Sequence, residues 1–88
     1  MYMTKRQLCD ELNIGDTTVT QRVAEMEKSG RYAGKDLIRD GRLLWVDWYA
    51  FVDWLTVRKQ LKTQPVPPYD RRRAERETPA PGRIHDEK

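Results

Sequence analysis

The chain has 88 residues and a net charge of +3, with 17 lysines and arginines against 14 aspartates and glutamates. This length allows one small domain, and its single cysteine and single histidine exclude an internal disulfide and a structural zinc site. No apolar run approaches the roughly 18 residues of a membrane span, and the first residues lack a signal-peptide pattern. We therefore expect a cytoplasmic protein without metal, cofactor or membrane partner.

The first predicted helix begins at Thr4, whose hydroxyl stands at capping-box spacing from Gln7. Leu8 and Leu12 follow at positions i and i+4 and define one apolar face. The helix then ends in a short turn that contains Gly15, a residue that permits backbone conformations most others resist. The sequence thus predicts a short amphipathic helix followed by a tight turn.

The second predicted helix starts at Gly15 or Asp16, either of which can be its N-cap. Val19, Val23 and Met26 recur at helical spacing, so they are expected to face the core. The other side carries hydroxyls, an amide and cations, which can bond to base edges and phosphates in a DNA groove. The predicted DNA-binding residues of this helix are Thr17, Thr18, Thr20, Gln21, Arg22 and Lys28.

A β-hairpin and a third helix are predicted over residues 36–61. The pair Asp40-Gly41 lies between two apolar runs, and the favoured two-residue turn needs positive φ at both central positions. Arg39 and Arg42 flank the hairpin tip, where they either contact DNA or are only solvated. Asp47 is the predicted N-cap of the third helix. The bulk of the core is expected to come from Trp45, Trp48, Phe51 and Trp54.

The last part of the chain differs in composition, because residues 63–88 hold all five prolines and almost no large apolar side chains. Such a segment buries too little surface to offset its ordering entropy, so a disordered tail is predicted after a folded domain of residues 1–62. Six basic and five acidic residues leave the tail nearly neutral. It is expected to be solvated, or else to contact phosphate weakly or fold on a partner.

Together these elements predict a small, mainly helical α+β fold of the winged helix-turn-helix type. A plain helical hairpin is the alternative, but the turn length and a buried Ile14 between the helices favour the helix-turn-helix. Catalysis finds no support: residues 1–62 hold no histidine, no nucleophile beside a base and no Gly-rich phosphate loop. No catalytic residue and no small-molecule substrate are therefore predicted.

Residues 3–61 resemble the small winged helix-turn-helix proteins of the excisionase type, found in phages and mobile elements, and are distantly similar to MerR-like DNA-binding domains. The resemblance rests on TKRQLCDELNIGDTTVTQRV, the short hairpin and VDWYAFVDWL. It implies a non-catalytic protein that binds repeated sites in double-stranded attachment DNA and bends it during recombination. Neighbouring copies and an integrase or recombinase are the implied partners.

Carried over by position, the resemblance assigns the polar residues of the second helix to a recognition helix, and Arg39 and Arg42 to the wing. The second helix has fewer basic residues than many excisionases, which implies weak binding by a single copy. Two alternatives stay open. The same fold could serve transcription regulation of phage genes, or it could be a protein-interaction module or inhibitor that presents Tyr49 or the tail.

Overall fold

The computed structural model describes residues 1–81 and contains four helices and one three-stranded antiparallel sheet. It is a small, mainly helical α+β fold, as the sequence predicted in outline. No helix in this range is long and apolar enough to cross a membrane. In chain order the elements are β1 (Tyr2–Met3), α1 (Lys5–Leu12), α2 (Asp16–Ser29), β2 (Leu37–Asp40), β3 (Leu43–Asp47), α3 (Trp48–Val57) and α4 (Arg71–Glu77), with short 3-10 helices at Gly34–Asp36 and Gln60–Lys62.

The core lies between α1, α2, α3 and one face of the sheet, whose strand order is β1-β3-β2. Helical periodicity identified the core face of α2 correctly, and the apolar residues of α3 close the core from the other side. The large side chains that are almost fully buried are Leu8, Val19, Val23, Met26, Val46, Trp48 and Phe51.

The start of α1 confirms the predicted capping box. The Gln7 backbone N–H donates to Thr4 Oγ1 at 3.2 Å, and the Thr4 N–H donates to Gln7 Oε1 at 2.9 Å. The turn after α1 differs from the prediction. Its left-handed residue is Asn13, with φ of 54°, whereas Gly15 has φ of −78° and is the N-cap of α2. Asparagine tolerates the left-handed region, so it takes the role expected of glycine.

A hairpin forms in this segment, but its turn lies one residue later than predicted. Ile38 lies opposite Trp45 and Asp40 opposite Leu43, so the central turn residues are Gly41 and Arg42 rather than Asp40 and Gly41. Among the central turn residues only Gly41 has a positive φ, of 59°, so the turn has the II′ pattern rather than positive φ at both positions. The expectation that Trp45 is a core residue was wrong. Val46 on the same strand faces the core, so the alternation of side chains turns Trp45 to the outer face, where it is 37% exposed.

The C-terminal segment also differs from the prediction of a disordered tail. Residues 63–81 run along the domain, and α4 packs on α3 with Ala74 buried. The Trp48 Nε1–H donates to the Pro79 carbonyl at 2.9 Å, and Val66 and Tyr69 pack against the core. A few well-placed anchors hold the segment even though its average composition is polar. The rest of the predicted tail, residues 82–88, lies outside the described residues.

Candidate nucleic-acid interface

The helix α2 divides cleanly into a buried and an exposed face. Val19, Val23 and Met26 are at most 2% exposed and point into the core. Of the predicted DNA-binding residues, Thr18 and Arg22 are partly buried. The side chains that α2 presents to solvent on its other face are Thr17, Thr20, Gln21, Ala24 and Lys28.

Two flanks border this exposed face, because successive residues of a helix turn by about 100°. Asp16, Thr20 and Glu27 lie along the flank nearest to α1 and the hairpin, which we call the hairpin flank. Arg22 and Glu25 lie along the opposite flank, nearest to the C-terminal end of α3, which we call the α3 flank.

On the hairpin flank, both carboxylates of α2 are paired with cations from neighbouring elements. Lys5 Nζ lies 3.2 Å from Asp16 Oδ1. Arg39 Nε and Nη2 donate to Glu27 Oε2 and Oε1 at 3.2 and 3.1 Å. The predicted hairpin arginine Arg39 is therefore engaged within the protein, where it joins the hairpin to α2.

A cleft of about 290 Å³ opens between α1, α2 and the hairpin. Within the described residues 1–81, its lining includes Thr20 and Trp45 but no carboxylate. Arg42, the second predicted hairpin residue, is exposed and makes no ion pair within residues 1–81. The four cationic side chains that line this cleft are Lys5, Arg6, Arg39 and Arg42.

Sequence reasoning missed Lys5 and Arg6 as members of this site. The available signal was a basic pair directly after the N-cap Thr4, and in the structure Lys5 lies beside Asp16 at the start of α2. Only the packing of α1 against α2 and the sheet shows that this pair shares a cleft with the hairpin arginines.

On the α3 flank, Glu25 is the centre of a hydrogen-bond network. It accepts from Trp54 Nε1 at 2.9 Å, from Arg58 Nε at 3.1 Å and from Arg22 Nη1 at 2.7 Å. The bonds from Arg58 and then Trp54, with the charge of Arg22, lower the pKa of Glu25 although partial burial opposes them. Arg22 is thus an internal ion-pair partner and, in this conformation, not a free side chain for reading bases.

The electrostatic result is that α2 presents no unpaired negative charge. Each of its three carboxylates, on Asp16, Glu25 and Glu27, has a cationic partner. Lys28 is the one ionised side chain of α2 for which residues 1–81 provide no ion pair. The outward face of the helix is therefore neutral to positive, with hydroxyl and amide groups at its centre.

A second polar cluster lies away from this face and has a structural role. Asp53 Oδ2 accepts from Arg31 Nε at 3.0 Å and from the Tyr32 hydroxyl at 2.7 Å. Arg31 Nη1 also donates to the Pro67 carbonyl at 2.6 Å, and the Tyr32 ring packs edge-on against Tyr69. This cluster ties the C-terminal segment to α3. No group of three potential metal ligands was found in the part of the chain that the structure describes.

Comparisons of the chain with protein-family models, with curated proteins and with solved structures find no match.

Proposed function

We propose that this protein is a non-catalytic, sequence-specific binder of double-stranded DNA with a winged helix-turn-helix fold. In this proposal α2 lies in the major groove and the β2–β3 hairpin lies against the adjacent backbone. The observation that carries the proposal is the exposed polar face of α2, which presents no unpaired carboxylate, between two flanks that bear cations. Functional groups of this type, on a helix with this charge pattern, suit the edges of base pairs and the phosphates beside them.

The exposed face of α2 has the chemistry that base recognition requires. Gln21 can donate to and accept from an adenine edge, and the Thr17 hydroxyl can bond to several base edges. Ala24 is small, so the helix backbone can approach the bases closely. A helix with its side chains is about 10–12 Å wide, close to the roughly 12 Å width of the major groove.

The paired carboxylates support the same proposal on electrostatic grounds. An uncompensated carboxylate beside a phosphate is repelled, so a helix with three of them would bind DNA poorly. Here Lys5, Arg39 and Arg58 each bring a positive charge to one carboxylate of α2. The cleft with Lys5, Arg6, Arg39 and Arg42 then provides a cationic path for one strand.

Within this class we propose an excisionase or recombination directionality factor, on the strength of the resemblance of residues 3–61 to such proteins. It would act on attachment-site DNA with an integrase and neighbouring copies as partners. A transcriptional regulator on the same fold would use the same α2 face. The positions of the bound sites in the genome separate these two roles: clustered sites at an attachment region support excision, and sites over a promoter support repression.

A protein-interaction module is the second candidate function, and one observation favours it. The outer face of the sheet exposes Tyr2, Ile38, Leu43 and Trp45, which are between 37% and 58% exposed. A cluster of large apolar side chains on one sheet face is a feature of protein contact surfaces.

The proposed function is tested by selecting duplexes from a random library with the full chain and then measuring affinity by fluorescence anisotropy. We expect Gln21→Ala to reduce the preference for the selected duplex over random DNA, because Gln21 is exposed on the outward face of α2. Gln60→Ala, which removes the same group outside the proposed interface, should leave that preference unchanged. Failure to enrich any sequence, or equal behaviour of the two variants, would refute sequence-specific binding through α2.

A further inference from the structure

We infer that the α3 flank carries a second phosphate-binding surface, formed by Lys28, Arg58 and Lys62, that contacts the DNA strand opposite to the one met by the hairpin. This inference rests on the proposed DNA-binding function and adds to it a surface that the sequence analysis did not assign. Arg58 and Lys62 follow α3 and had no predicted contact with nucleic acid.

A shallow cleft of about 360 Å³ brings these residues together at the C-terminal ends of α2 and α3. Lys28 and Lys62 are exposed on its rim, and Trp54 forms part of its wall. The remaining lining residues are Glu25, Ser29 and Arg58. Among residues 1–81, three cations thus surround a cleft with one carboxylate, and that carboxylate already accepts hydrogen bonds from three residues.

The hydrogen bonds show which groups remain for a ligand. Trp54 uses its indole N–H on Glu25, so its ring offers an apolar wall and no donor. Arg58 donates Nε and Nη2 to Glu25, which fixes the guanidinium plane, while Nη1 makes no hydrogen bond within residues 1–81. The ammonium groups of Lys28 and Lys62 make no ion pair in that range either. The free groups are therefore all cationic donors, which suit an anion.

The position of the cleft relative to α2 indicates which kind of anion it binds. A helix in the major groove has a phosphate backbone on each side, one from each strand. The cleft with Arg39 and Arg42 occupies the hairpin flank, whereas the Lys28–Lys62 cleft occupies the flank beside α3. Lys28 also belongs to the exposed face of α2, so this cleft is continuous with the proposed base-reading surface. We therefore favour a DNA phosphate over an acidic peptide.

The test compares the salt dependence of duplex binding for the full-length wild type, Lys62→Gln and the control Lys35→Gln. Lys35 is an exposed lysine that lines a different cleft, beside the C-terminal segment. Loss of one phosphate contact should reduce the slope of log affinity against log salt by about 0.9 and weaken binding to all sequences alike. We expect this change for Lys62→Gln, no change of slope for Lys35→Gln, and retention of the wild-type slope for Lys62→Arg.

Hydroxyl-radical footprinting on the selected duplex then assigns the strands. We expect Lys62→Gln to lose protection on one strand and Arg42→Gln to lose protection on the other. Two outcomes would overturn this inference alone. One is a salt slope for Lys62→Gln equal to that for Lys35→Gln, and the other is loss of protection on the same strand for Lys62→Gln and Arg42→Gln. If the wild type did not bind duplex DNA, the proposed function would be overturned and this inference with it. If the wild type bound a polyglutamate peptide instead of DNA, the partner would be an acidic protein.

Discussion

Arg39 on the hairpin and Glu27 on α2 form an ion pair with two hydrogen bonds, of 3.2 Å from Nε and 3.1 Å from Nη2. The pair joins the two elements that the proposed function places against DNA. Both side chains are more than a third exposed, so the pair contributes at most about 1 kcal/mol to stability. An interaction this weak can be exchanged for one between Arg39 and a phosphate.

We therefore predict that Glu27→Gln tightens binding to duplex DNA of any sequence and steepens its salt dependence. The substitution removes a negative charge beside the DNA and releases Arg39 for a phosphate, while the free energy of unfolding changes by less than about 1 kcal/mol. Asp10→Asn, which removes the same charge from an exposed site on α1, controls for net charge. Weaker binding by Glu27→Gln would show that Glu27 instead holds Arg39 in its binding position.

The two faces of the fold predict different outcomes for two aromatic residues. Phe51 is fully buried, so Phe51→Ala should reduce the free energy of unfolding by about 3–5 kcal/mol. Trp45 lies on the outer sheet face, so Trp45→Ala should reduce the free energy of unfolding by less than half of that amount, although it removes a larger side chain. Urea unfolding followed by circular dichroism measures both. Similar losses for the two variants would contradict the observed orientation of β3.

The C-terminal segment is predicted to contribute to stability rather than to be dispensable. A chain that ends at Thr63 lacks Val66, Tyr69 and Ala74, all of which pack against the domain. We expect it to lose about 1–3 kcal/mol of unfolding free energy relative to a chain that ends at Pro81, because apolar surface of α3 becomes exposed. Thermal unfolding of the two chains makes the comparison. Equal melting temperatures would support the disordered tail predicted from composition.

Tyrosine ionisation should destabilise the protein at alkaline pH. Burial raises the pKa of Tyr32, as does its hydrogen bond to Asp53, and burial raises the pKa of Tyr69, as do the charges of Asp47 and Asp36. A raised pKa in the folded state gives stability that is present below the usual tyrosine pKa of 10.0 and lost as the pH rises above it. Urea midpoints should therefore fall above pH 10.

Two phenylalanine variants separate the contributions of these tyrosines. The Tyr69 hydroxyl has no hydrogen-bond partner among residues 1–81, so Tyr69→Phe should preserve stability at neutral pH. It should also reduce the loss of stability at alkaline pH. Tyr32→Phe should reduce the alkaline loss as well, but it should lower stability at neutral pH by about 1–3 kcal/mol because it removes the bond to Asp53. A loss at neutral pH for Tyr69→Phe as large as that for Tyr32→Phe would contradict these contacts.

The local features of the chain were predictable because their causes are local. The capping box at Thr4, the core face of α2, the presence of a hairpin next to Asp40 and the N-cap Asp47, which accepts from the Ala50 N–H at 3.2 Å, all depend on residues close in sequence. The exact turn residues, Gly41 and Arg42, were not predicted. The outward position of Gln21 and Lys28 follows from the same periodicity. The exposed face of the candidate site was therefore available from the sequence.

The partners of charged side chains were not available in this way. Arg22 and Arg39 look like free cations in the sequence, yet Glu25 and Glu27 engage them. Arg39 meets Glu27 only when the hairpin folds back on α2, a contact between residues 12 positions apart. Composition likewise could not show that the Pro79 carbonyl would accept a hydrogen bond from the Trp48 indole N–H, 31 residues away in the chain.

The sequence by itself determined the order of α1, α2, the β2–β3 hairpin and α3, and the buried and exposed faces of α2, because periodicity, capping and turn chemistry act over a few residues. Only the tertiary structure decided that Lys5 and Arg6 share a cleft with Arg42, that Trp45 faces outward and that residues 63–81 pack on α3. Those features depend on strand register and on contacts between distant segments, which no local pattern specifies.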